Sequence, residues 1–76
     1  MEKVILYYKF VPVVDPETTK LWQKELCKRL SLKGRIIISK HGINGTLGGE
    51  VKNLKEYIKE NNLTIFKGIT YKWSDG

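Results

Sequence analysis

Cysteine is nearly absent from this sequence. Cys27 stands alone, which excludes an internal disulfide and a thiolate metal cluster and points to a reducing, cytosolic setting. Histidine is as scarce: His41 is the only one. No serine, cysteine or carboxylate stands near it at a spacing that suggests a triad or a metal set, so the sequence offers no catalytic residue and no metal ligands. Neither G-x-G-x-x-G nor G-x-x-x-x-G-K-[ST] occurs, which removes the common phosphate-cradling loops. No apolar run approaches the roughly 20 residues of a membrane span. Met1-Glu2-Lys3 leads straight into a strand-like run with no cleavage site, so neither a membrane anchor nor a signal peptide is expected. Repeats, linkers and low-complexity tracts are missing too, and residues 1–76 read as one small domain.

What is present is a basic chain with the composition of a folded globular domain. It is 41% hydrophobic and 29% charged, with a net charge of +6 that favours anionic partners, nucleic acid first. The run Val4 to Val13 is rich in β-branched and aromatic residues and reads as a strand ended by Pro12. Val4, Leu6, Tyr8 and Phe10 share one face of it; Ile5, Tyr7, Lys9 and Val11 share the other. Apolar character on both faces predicts a central strand. Asp15-Pro16-Glu17 is a helix start, and Trp22, Leu26 and Leu30 then recur every four residues, with Leu21 and Cys27 beside them. Lys20, Lys24 and Lys28 share a different face, and Gly34 is the expected stop.

Arg35 to Lys40 reads as a second strand. The stretch Ser39 to Gly49 that follows holds four of the chain's seven glycines. Asn44-Gly45 is a strong hairpin dipeptide, with Thr46 to Gly48 pairing back as a short third strand. Glu50 to Asn61 is a second helix with Val51, Leu54 and Ile58 on one face, and Leu63 to Trp73 supplies the last extended segment. The order β-α-β-β-α-β predicts an α+β, ferredoxin-like sandwich: a four-stranded antiparallel sheet with two helices on one face and the other face open. If Val4, Leu6, Tyr8 and Phe10 meet the helices, Ile5, Tyr7 and Lys9 line the open face. That face would stack bases or pack on a neighbouring domain. Cys27, on the apolar stripe, reads as a small buried hydrophobe.

The segments "ILYYKFVPV" with "DPE", "LKGRIIIS" with "GINGT", and "YKWSDG" together resemble the N-terminal domain of a bacterial rhodanese-related family of tRNA wobble-uridine hydroxylases. The resemblance runs through essentially the whole chain. It implies an acylphosphatase-like fold, followed in the parent protein by a rhodanese domain that carries the active cysteine. The implied reaction is hydroxylation of the wobble uridine to 5-hydroxyuridine with molecular oxygen as co-substrate. No cofactor is expected in this domain, and the 76-residue chain alone is expected not to be an enzyme. Lys40 and His41 stand where the family usually has a proline and an acidic residue. Acylphosphatase activity itself is not expected, because Val11-Pro12-Val13-Val14-Asp15 lacks the glycine-rich loop and arginine that would hold a phosphate.

Two roles follow from the resemblance. In the first, the domain binds the anticodon region of tRNA through Lys9, Arg35, Lys40, His41, Asn44 and Lys72, with charges meeting phosphates and Asn44 donating hydrogen bonds. In the second, it is a structural module that packs on the rhodanese domain through Ile5, Tyr7 and Ile43 without touching RNA.

Overall fold

The computed structural model describes residues 1–75. Its elements run β1 (Glu2–Phe10), α1 (Pro16–Arg29), β2 (Lys33–Ser39), β3 (Gly42–Glu50), α2 (Val51–Asn61) and β4 (Lys72–Ser74). The strands form one antiparallel sheet in the order β2-β3-β1-β4, which with the two helices gives the ferredoxin-like, acylphosphatase-like fold expected. Among the described residues, no helix is long and apolar enough to cross a membrane.

Helix α1 starts where the sequence places it. Asp15 caps it, accepting from the Thr18 amide at 3.2 Å and the Thr18 hydroxyl at 2.8 Å, and Pro16 opens the first turn. These hydrogen bonds hold the Asp15 carboxyl below its ordinary range. The stop differs from expectation. The helix ends at Arg29, Ser31 takes the left-handed turn (φ 55°), and the Leu32 amide bonds back to the Cys27 carbonyl at 2.8 Å. Gly34 lies inside β2 instead, opposite Leu47.

The hairpin is also displaced. Asn44-Gly45 sits in the middle of a nine-residue β3, and the reversal is made by Lys40-His41, with Ser39 facing Gly42. The physical reason is visible at both glycines. Gly42 has a positive φ (151°), and a side chain there would run into the Lys9 carbonyl oxygen; a side chain at Gly45 would collide with the Tyr7 ring lying across it. These glycines allow close approach to β1. The segment from Leu63 is likewise not extended: it forms turns that bury Phe66 before the short β4.

The face of β1 that meets the helices is the opposite of the one expected. Ile5 and Tyr7 point inward, together with Ile43 and Leu47 of β3 and Ile38 of β2, and they pack with Leu26, Leu54, Tyr57 and Phe66. Each such fully buried aliphatic or aromatic side chain contributes roughly 1.5–3 kcal/mol. A hydrogen-bonded chain crosses this core. The Tyr57 hydroxyl donates to Gln23 Oε1 at 2.6 Å, so the neighbouring Tyr7 hydroxyl must donate to Tyr57. Gln23 Nε2 donates to Asn61 Oδ1 at 2.7 Å, and Asn61 Nδ2 to the Tyr71 hydroxyl at 3.2 Å. Buried Gln23 and Asn61 are thereby satisfied, as buried polar groups must be. Burial raises all three tyrosine pKa values, so the chain stays protonated far above neutral pH.

Candidate nucleic-acid interface

With Ile5 and Tyr7 inside, the face turned away from the helices carries the even-numbered residues of β1. Strand register then sorts it into rows. Arg35, Thr46, Leu6 and Lys72 lie across the four strands in one row; Ile37, Asn44 and Tyr8 form the next; Ser39, Gly42 and Phe10 form the last. Strands about 4.8 Å apart put the backbones of Arg35 and Lys72 about 14 Å from each other, on opposite edges. Neighbouring rows are about 6.7 Å apart along the strands. At the far end of the face, Glu2 stands opposite Glu50, which pairs with the terminal ammonium at 3.2 Å. Along the face run two carboxylates at one end, one of them paired with the terminal ammonium, then Lys33 on the β2 edge, then the Arg35–Lys72 row, then aromatic and amide side chains toward the hairpin.

The final two rows enclose a shallow recess of about 240 Å³ beside the hairpin, lined by Tyr8, Phe10, Ile37, Ser39, His41 and Asn44. Gly42, between Ser39 and Phe10 in the last row, adds no side chain to it. Tyr8 and Phe10 meet edge to face with ring centres 5.7 Å apart, a favoured aromatic geometry. The hairpin is anchored by its backbone: the Val11 and Val13 amides donate to the His41 and Lys40 carbonyls, each at 3.0 Å, and Ser39 Oγ accepts from the His41 amide at 3.1 Å. Both loop side chains are exposed.

Of the residues expected to meet RNA, Arg35, Asn44 and Lys72 lie on this face, and Lys40 and His41 form the turn at its end. Lys9 belongs to the helix-facing set by register, opposite Ile43, and is half-buried where the sheet ends. The expected interface residues are not surface residues at all. Ile5, Tyr7 and Ile43 are at most 4% exposed in the core, so they cannot present a docking surface. The side chains that do protrude are Tyr8 (66% exposed), Phe10 (84%) and Ile37 (56%), none of which is among the expected site residues. A signal for them existed. In β3, Ile43 and Leu47 alternate against Asn44 and Thr46, so the odd positions face inward; pairing then fixes the face of β1.

A second hollow lies on the helix side, between α1 and the edge strand β2. It is about 470 Å³, with Cys27, Leu32, Ile36 and Ile38 among its walls and Lys20, Lys24 and Lys28 along α1. Burial pushes the Cys27 thiol up to about 11, so it is protonated at neutral pH and a poor nucleophile there. Among the described residues, no group of three histidine, cysteine, aspartate or glutamate side chains converges to hold a metal.

Comparison with known proteins adds a family. The model of the UPF0176 acylphosphatase like domain matches residues 2–76. A tRNA uridine(34) hydroxylase of Corynebacterium diphtheriae is 51% identical over 75 residues, covering 97% of this chain and 24% of the relative. Proteins of the same name from Arthrobacter sp. (strain FB24) and Corynebacterium kroppenstedtii are 48% and 51% identical over 77 residues, covering all of this chain and 26% of each relative. The chain thus spans about a quarter of the length of these relatives.

Proposed function

This chain belongs to the UPF0176 acylphosphatase-like domain family, and from that premise we propose that it is the tRNA-handling domain of a longer tRNA uridine hydroxylase. Its task is to hold the anticodon region while the remainder of the parent protein, a rhodanese-related domain, hydroxylates the wobble uridine with molecular oxygen. The observation that carries this reading is the open sheet face, where Arg35, Lys72 and the Lys40-His41 turn surround exposed aromatic and amide side chains. Cations of this kind hold the phosphate backbone and make binding salt-dependent. The +6 net charge adds long-range attraction for a polyanion.

The test is a titration of the ¹⁵N-labelled domain with an anticodon stem-loop, read by backbone amide shifts at low and moderate salt. Salt-sensitive shifts at Arg35 to Thr46 and on the even-numbered residues of β1 support the proposal. The Lys40→Ala/His41→Ala double variant is expected to bind more weakly and with a shallower salt dependence. Still amides at low salt would refute RNA binding. The exposed Leu6, Tyr8, Phe10 and Ile37 would then mark a contact with the rest of the parent protein.

A further inference from the structure

The charges on the open face account for attraction to RNA, but not for its two most exposed aromatic rings. Phe10 is 84% exposed and Tyr8 66%, adjacent on one strand and in contact with each other. Neither ring contributes to the core, which the opposite face of β1 supplies. Beside them is a recess that Gly42 and Ile37 help to line. Asn44 stands next to Tyr8 in register, and among the described residues its side-chain amide makes no hydrogen bond. Exposed aromatic rings, an empty slot and an unengaged amide with both a donor and an acceptor are what a nucleobase requires: a ring surface for its face and partners for its edge.

The direction of the strand is set by charge. The Arg35–Lys72 row runs one step from the recess, about 6.7 Å away, and exposed Lys33 stands on the same face one row beyond it. We propose that the recess takes one unpaired base of a single-stranded RNA segment, stacked on one ring of the Tyr8–Phe10 pair and in contact with the other, with its edge read by Asn44. The neighbouring phosphates lie across the Arg35–Lys72 row. This rests on the tRNA reading above and deepens it: the domain selects unpaired nucleotides and not merely negative charge. Aromatic stacking of this kind tolerates any base, whereas the Asn44 amide distinguishes among base edges.

The experiment measures affinity and salt dependence of the 76-residue domain for two RNAs of equal phosphate number: an anticodon stem-loop with an unmodified wobble uridine, and a fully paired duplex. Tyr8→Ala and Phe10→Ala change exposed side chains, and circular dichroism checks that the fold is retained. Each is expected to weaken stem-loop binding about 5- to 150-fold, to leave duplex binding unchanged, and to leave the salt slope as it was. Arg35→Gln and Lys72→Gln are expected to weaken both RNAs and flatten the slope. Should the aromatic variants bind like wild type while the charge variants do not, stacking is refuted and RNA binding survives. Should wild type bind neither RNA at low salt, the tRNA reading fails and the stacking proposal with it.

Discussion

Replacing Tyr57 by Phe removes one oxygen atom from the core and breaks two hydrogen bonds at once. The ring keeps its volume, so no cavity of consequence opens, and the cost comes from what is left behind. Tyr7 loses the acceptor of its proton, and Gln23 Oε1 loses its donor at 2.6 Å. Each buried group left unpaired costs about 1–3 kcal/mol, so the variant with two such groups loses about 2–6 kcal/mol. A domain of this size has only about 4–11 kcal/mol to lose. Tyr7→Phe differs in a decisive way: Tyr57 keeps its donation to Gln23 and gives up only an incoming bond, at a cost of about 0.5–1.5 kcal/mol. In the double variant the orphaned Tyr7 hydroxyl is gone, so it is expected to be no less stable than Tyr57→Phe alone. Urea unfolding followed by fluorescence of Trp22 and Trp73 gives all three values. Thermal midpoints should fall by about 4–8 °C for each kcal/mol. If Tyr57→Phe and Tyr7→Phe lose the same stability, or if their losses simply add, the hydrogen bonds do not run from Tyr7 through Tyr57 to Gln23.

Three further outcomes are expected. Gly45→Ala drives a methyl group into the Tyr7 ring and should destabilise by about 1–3 kcal/mol, read by the same urea titration. Tyr7→Asp places a carboxylate in the core and should abolish folding by circular dichroism, whereas Tyr8→Asp, one residue on and solvent-facing, should fold normally; equal effects would overturn the assignment of faces. Burial raises the Cys27 thiol from its ordinary 9.0 to about 11, so folding favours the protonated form. Its contribution to stability is complete below pH 9 and is lost as pH rises toward 11; accordingly, native Cys27 should react with iodoacetamide more slowly than the unfolded chain at pH 9, and Cys27→Ala should lose less stability between pH 9 and 11 than wild type.

The fold was legible in the sequence, and the face of the site was not. Asp15-Pro16-Glu17 declared a helix start through capping chemistry, which acts over a few residues and survives any tertiary context. Helix α2 was placed to within one residue for the same kind of reason: its apolar period is local. The failures came where a local rule competed with a contact from elsewhere. Asn44-Gly45 has turn chemistry, but Tyr7 needed a partner strand without a side chain beneath its ring, and that use prevailed. On β1 both faces are apolar, so alternation alone could not say which one is buried. The choice is made by Tyr7 and Ile5 fitting Gly45 and Leu47 across the ladder. Gln23 was invisible within the apolar stripe of α1 because its burial depends on Tyr57 and Asn61, far away in sequence. Polar positions divided. Arg35, Asn44 and Lys72 reached a common face because each is polar at a strand position where the core demanded something apolar on the other side, whereas Lys9 fell on the helix-facing side of β1 where the sheet ends.

Strand β4 is three residues long and exposed throughout, joined to β1 at the sheet edge and held further by Lys3 on Asp75. With three ladder pairs and mostly exposed side chains it has fewer restraints than the other strands, and local opening is expected to begin at such an edge, ahead of the core. Lys72 travels with it. A polyanion that bridges Arg35 and Lys72 engages only the docked form, and occupancy of the face then draws β4 into place in proportion to ligand concentration. Amide exchange at Lys72 to Ser74 would slow on binding while that of the core stayed unchanged. The sheet edge would act as a clasp, fastened by the molecule it helps to hold.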